Sequence, residues 1–201
     1  MREIFESILG AENVMIDEPM SKHTTFKIGG NADYFLTPEN ENQLKEVFFA
    51  AKRAGLPTII LGNGSNLLVG DKGIRGVVIC LYKKLDKIEV SGDELVVGCG
   101  ALLSRVSSTA LKAELQGFEF ASGIPGTVGG GVYMNAGAYG FELKDIIKTV
   151  RYMDADGNIS DIDGKLCEFG YRESIFAKKE YTVLGCTFKL SRGKSEEIRA
   201  R

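Results

Sequence analysis

The stretch SGIPGTVGGGVYMNAGAYG, Ser122 to Gly140, has glycine at seven of its nineteen positions and alanine at two more. A fixed glycine loses more conformational entropy on folding than any other residue, so such a run persists only where side chains would obstruct something. A flexible linker would be polar and serine-rich, whereas this stretch carries Ile124, Val128, Val132, Tyr133 and Tyr139. The expectation is an ordered, side-chain-poor backbone that admits a close neighbour, either another segment of chain or a ligand with many acceptors. The whole chain holds 25 glycines in 201 residues, against roughly 14 at average usage.

A second loop of the same character lies in ILGNGSNLLVG, where an apolar strand ends in Gly62, Asn63, Gly64, Ser65 and Asn66. Small residues in succession can present consecutive backbone N–H groups, and Ser65 and Asn66 add side-chain donors, a combination suited to a diphosphate. A tight turn with no ligand fits the same residues. The loop is not a dinucleotide fingerprint of the GxGxxG kind, because its third glycine falls at Leu67 and no long helix can follow. RGKS, Arg192 to Ser195, lacks the upstream glycine of a Walker A sequence. Two such loops could wrap the phosphates of a dinucleotide and admit a flat ring system; close packing of glycine against neighbouring strands is the other reading of the longer one.

Around these loops the pattern alternates. NENQLKEVFFAAKRA, Asn40 to Ala54, puts Leu44, Val47, Phe48 and Ala51 on one helical face, with an asparagine cap before it and Gly55 after it. DYFLTP before it and PTIILG after it read as strands, giving β-α-β with a parallel pair, and GVVICLY as a third strand. DKIEVSGDELVVGCG is expected to be a hairpin around Ser91-Gly92-Asp93, and ALLSRVSSTALKAELQG a helix ending at Gly117. IIKTVRYMDADGNISDID is a hairpin around Asp156-Gly157, EYTVLGCTFKLSRG the last strand, and KSEEIRAR the start of a helix or a linker. The change of pattern near residue 80 marks a boundary, and the fold class is α+β with two subdomains.

A net charge of −2 spread along the chain leaves no electrostatic footprint for nucleic acid. No apolar run approaches a membrane span, and MREIFESILG has acidic residues where a signal peptide needs basic ones, so a cytoplasmic location is expected. Cys80, Cys99, Cys167 and Cys186 form no CxxC pair and read as small buried residues. With His23 the single histidine, no metal site is expected.

Four motifs occur in order: HTTFKIGG (His23–Gly30), LGNGSNLLV (Leu61–Val69), the glycine-rich stretch, and FGYRESIF (Phe169–Phe176). On these residues the chain resembles the UDP-N-acetylenolpyruvoylglucosamine reductase family, cytoplasmic flavoproteins that make UDP-N-acetylmuramate from an enolpyruvyl UDP-sugar for bacterial peptidoglycan. The resemblance implies a two-subdomain FAD-binding fold of the para-cresol methylhydroxylase and vanillyl-alcohol oxidase type: residues 1–80 as subdomain 1, 81–193 as subdomain 2, and 194–201 as the start of a linker to a substrate-binding domain outside these 201 residues. It implies non-covalent FAD, NADPH as hydride donor and no metal. Cofactor-binding residues would be Gly62, Asn63, Gly64, Ser65, Asn66 and Leu67 in one loop. In the other they would be Ser122, Gly123, Ile124, Pro125, Gly126, Thr127, Gly129, Gly130, Asn135, Gly137 and Ala138, with glycine needed because a Cβ would meet the cofactor.

Arg172 matches the family's catalytic arginine, and Tyr171 before it is a substrate-binding candidate. From the residues alone, an arginine between an aromatic and an apolar pair is poorly placed as a purely solvated charge, and a structural ion pair is its other reading. The family's proton donor, a serine, lies in the third domain, so the chain alone is expected not to turn over. Two rival functions fit the same cradle: a non-catalytic flavin-binding module, and another flavin oxidoreductase of the superfamily acting on alcohols or sugars. In the latter a covalent flavin would be expected, for which His23 is the available histidine.

Overall fold

The computed structural model describes residues 1–200. The chain divides into two compact units, Met1–Leu85 and the residues from Asp86 onward.

The first unit contains α1 (Arg2–Leu9), β1 (Val14–Pro19), β2 (Asn31–Leu36), α2 (Glu41–Arg53), β3 (Thr58–Leu61) and β4 (Ile74–Cys80). The Asn40 side chain caps α2 by accepting from the Gln43 N–H at 2.9 Å, and Leu44, Val47, Ala50 and Ala51 form its buried face. The sheet order is β1-β2-β4-β3. The expected β-α-β is present, but β2 and β3 are not a neighbouring pair: β4 lies between them and runs parallel to both. The reason is burial. Residues 76–80 of β4 are covered on both faces, as a parallel central strand requires, whereas only Leu61 of the four β3 residues is buried, which suits an edge.

The second unit is antiparallel: β5 (Ile88–Ser91), β6 (Glu94–Gly98), α3 (Leu103–Lys112), β7 (Leu115–Gln116), α4 (Val128–Tyr133), β8 (Gly137–Ala138), β9 (Phe141–Glu142), β10 (Ile147–Met153), β11 (Ile159–Asp163), α5 (Ile175–Lys178), β12 (Thr182–Lys189), β13 (Ser191–Arg192) and α6 (Ser195–Arg199). The main sheet has the order β11-β10-β12-β6-β5, with the mostly buried β12 at its centre and the exposed β5 at one edge. Both expected hairpins form; the first turns at Gly92-Asp93, since Ser91 pairs with Glu94. Leu95, Leu103, Val106, Phe118, Val150 and Phe188 are core residues, and Phe118 meets Phe188 edge-on at 4.9 Å.

Two expectations are corrected here. The helix expected to reach Gly117 stops at Lys112: Glu114 takes a φ of 54°, and Leu115–Gln116 leaves to pair with Ser191–Arg192, the end of the stretch expected to be one last strand, which divides into β12 and β13. The glycine-rich stretch contains a helix, α4, where a side-chain-poor loop was expected. All four cysteines are buried thiols; burial pushes the Cys80 thiol up, Cys167 up to about 12 and Cys186 well above its ordinary value, so these three stay protonated at neutral pH.

Candidate functional site

The Gly62–Asn66 loop follows β3 as a turn in which two carbonyls, of Gly62 and Gly64, accept bonds and the N–H groups donate none. Gly64 O accepts from Thr25 N at 3.1 Å, and Gly62 O from the Cys80 thiol at 3.5 Å. Among the described residues, none of the N–H groups from Gly62 to Asn66 donates to an acceptor, nor do the side chains of Asn63, Ser65 or Asn66 form a hydrogen bond. Asn66 is exposed, Gly62, Asn63, Ser65 and Leu67 are half-buried and Gly64 is buried, so the donors at Gly62, Asn63, Ser65 and Asn66 belong to residues within reach of solvent. Such an array has the chemistry to accept an anion. Gly64, with φ 68°, is required by the protein itself, because a Cβ there would run into the His23 carbonyl. His23 is committed: its Nε2 lies 2.9 Å from Glu18 Oε1 and its ring stacks on Phe35 at 3.9 Å.

The glycine-rich stretch behaves differently. Val128 N donates to Ala101 O, Gly129 N to Cys99 O and Gly131 N to Thr127 O, each at 2.8 Å, while Gly130 N reaches the capping Thr127 hydroxyl at 3.4 Å. A Cβ on Gly129 would stand 2.9 Å from that of Cys99, one on Gly131 2.9 Å from Leu143 Cδ1, and one on Gly137 against the Phe141 carbonyl. At Gly64, Gly129 and Gly137 close approach of the chain to itself already excludes a side chain, a demand for glycine that is independent of any cofactor. Gly123 is exposed with nothing within 4 Å of its Cβ position, and at Gly130 the nearest atom is Thr127 Oγ1 at 3.6 Å. Ser122 and Pro125 are also exposed, Ile124 and Gly126 half-buried, and Thr127 is buried as the α4 cap. Ala138 pairs with Phe141 in the small β8-β9 ribbon.

Asn135, expected on a cofactor, is 1% exposed and engaged at both ends: its Nδ2 donates to Gly170 O at 2.9 Å and its Oδ1 accepts from Lys144 N at 3.1 Å. Its neighbour across that bond is the turn of Tyr171 and Arg172, closed by reciprocal backbone bonds between Gly170 and Glu173. Arg172 has a φ of 57°, a region that costs an L residue about 1–2 kcal/mol and is retained at functional sites when the surroundings enforce it. Its guanidinium is exposed, makes no ion pair among the described residues, and lies 5.7 Å from the centre of the Tyr171 ring, itself 84% exposed. Neither reading from the residues alone holds: no ion pair engages Arg172 among the described residues, and its charge is solvent-exposed, against the expectation that a purely solvated charge is poorly placed there. Lys144 holds the nearby Glu142 carboxyl below its ordinary range, with smaller help from Asn135 and Arg172, so an ionised carboxylate accompanies the arginine.

Two residues of this region escaped the sequence reading. Ser174, fully buried, caps α5 and donates its hydroxyl to Tyr133 O at 2.5 Å; a serine directly before the apolar pair Ile175–Phe176 was the available signal. Glu142 had none, since its surroundings arise from the β8-β9 fold.

The chain matches the family model described as FAD binding domain over residues 32–163. It is 48% identical over 194 residues to a Clostridioides difficile protein named UDP-N-acetylenolpyruvoylglucosamine reductase, covering 96% of this chain and 64% of that protein. An Alkaliphilus metalliredigens protein of the same name is 44% identical, covering 98% and 64%. The chain thus spans a little under two thirds of the length of these curated relatives. Among solved structures, UDP-N-acetylenolpyruvylglucosamine reductase from Thermus caldophilus superposes with a TM-score of 0.79 at 33% identity, covering 93% of this chain and 65% of that one. p-Cresol methylhydroxylase superposes at 0.67 with 17% identity over 96% and 43%, a likeness of fold. No helix among the described residues is long and apolar enough to cross a membrane.

Proposed function

The chain belongs to the FAD-binding domain family, and from that premise we propose that it is the flavin-holding part of a cytoplasmic reductase that converts UDP-N-acetylglucosamine enolpyruvate to UDP-N-acetylmuramate with NADPH. The residues present fit the cofactor. The free N–H groups of Gly62 to Asn66, with the Ser65 and Asn66 side chains, would hold a diphosphate, and the bare, open positions at Gly123 and Gly130 would let a flat ring system approach backbone. Bound FAD would supply the hydride chemistry. The commitments of His23 to Glu18 and Phe35 favour a non-covalent flavin, which acid precipitation should leave in the supernatant.

The observation that carries the reductase reading is Arg172, an unpaired guanidinium presented on a strained turn. Hydride addition at C3 of the enol ether leaves negative charge on C2 and its carboxylate, and an always-protonated, planar donor meets that charge without needing a proton of its own. Tyr171, against the guanidinium, would restrict its motion and flank the substrate. In the natural polypeptide carrying this chain, Arg172→Ala should slow reoxidation of reduced flavin by the enolpyruvyl substrate by about 10² to 10³, with flavin reduction by NADPH little changed. Rapid-mixing absorbance of the two half-reactions measures both, and equal damage to each would remove Arg172 from the chemistry. Heat release should yield FAD; recovery of FMN would count against the diphosphate cradle.

A further inference from the structure

Arg172 depends on a turn that its own side chain does nothing to hold. The flanks of that turn, Gly170 and Ser174, are tied to the end of α4 by two bonds that run in opposite directions. Asn135 Nδ2 donates to the Gly170 carbonyl at 2.9 Å, and Ser174 Oγ donates to the Tyr133 carbonyl at 2.5 Å. Asn135 is 1% exposed and Ser174 fully buried, so water cannot replace either bond.

Asparagine meets three demands at position 135 together. Its backbone has a φ of 45°, which Asn and Asp tolerate better than other L residues. Its oxygen accepts from Lys144 N at 3.1 Å, and its amide donates to Gly170. Aspartate satisfies the first two and fails the third, because a carboxylate has no proton to give.

We infer that Asn135 and Ser174 are positioning residues for the reductase reaction, clipping the Gly170–Glu173 turn to the end of α4 and so fixing where the Arg172 guanidinium stands. This rests on the reading of Arg172 as the group that meets the developing charge. Neither residue touches substrate in this role; each acts through the arginine.

The test uses Asn135→Asp, Ser174→Ala, Arg172→Ala and the double variant Asn135→Asp/Arg172→Ala in the natural polypeptide loaded with FAD. Each clip variant should slow reoxidation of reduced flavin by the enolpyruvyl substrate about tenfold, leave flavin reduction by NADPH within about twofold, and act on kcat more than on KM. In the Arg172→Ala background, Asn135→Asp should add less than about twofold, because the group it positions is gone. A folded Asn135→Asp protein with an unchanged second half-reaction, equal loss in both half-reactions, or a full additional loss in the double variant would each overturn the proposal. Collapse of the fold in both clip variants would also overturn it, by making these residues structural. If Arg172→Ala alone leaves the second half-reaction intact, the reading of Arg172 fails and takes the clip with it, an outcome told apart by that single variant.

Discussion

The two glycine-rich segments look alike in sequence and use glycine for opposite ends. In Gly62–Asn66 the N–H groups are left without acceptors and the backbone is braced from behind, at Gly64, by the His23 carbonyl. In Ser122–Gly140 most N–H groups are consumed by α4 and by the carbonyls of Cys99 and Ala101, and Gly129, Gly131 and Gly137 are small because other parts of the second unit lie against them. Glycine content therefore marks close approach, but whether chain or ligand approaches is decided position by position.

The contrast can be broken by alanine substitution. The largest effect should come at Gly64→Ala, where a left-handed φ and a backbone carbonyl oppose the new methyl together; a loss of about 2–5 kcal/mol in urea unfolding is expected. A loss below about 1 kcal/mol would mean that the loop can move and is not braced. Gly129→Ala should come next, overpacking against Cys99 by about 1–3 kcal/mol with roughly 1 kcal/mol returned by helix propensity.

Gly130→Ala sharpens the comparison because it should stabilise the apoprotein by up to about 1 kcal/mol while weakening FAD binding, measured by flavin fluorescence quenching. Unaltered affinity would take Gly130 off the cofactor surface. The smallest effect is electrostatic and confined to the second region. Lys144 depresses the Glu142 carboxyl, so its contribution is complete above the ordinary value of 4.5 and is lost as pH falls through the lower folded value, with nothing changing near neutrality. A carboxyl NMR titration should find Glu142 below 4.5; a midpoint at or above it would mean that the Lys144 contact does not persist.

Local signals were the legible ones. Asn40 before an apolar helical face, Asp156-Gly157 between alternating runs, and the unbroken apolar run at Val77–Cys80 each announce a cap, a hairpin or a central strand from a few neighbouring residues. The end of α3 was not legible, because Leu115–Gln116 is drawn away by Ser191–Arg192, more than seventy positions later. The insertion of β4 between β2 and β3 was hidden for the same reason: order in a sheet depends on which strand can be covered on both faces, a property of the assembled layers.

The sequence by itself determined the positions of the two glycine-rich segments, the Tyr171-Arg172 pair and the kind of chemistry they suit, since residue type alone limits backbone freedom, charge and donor count. Only the tertiary structure decided how those residues are used. It engaged the buried Asn135 side chain with Gly170 and Lys144, left Arg172 without an ion pair among the described residues, and divided the glycines between those that face open space and those pressed against the chain. The physical reason is that a hydrogen bond or a van der Waals clash is fixed by atoms brought within about 4 Å, and the partners of Asn135, Ser174 and Gly129 lie 35, 41 and 30 positions away along the chain.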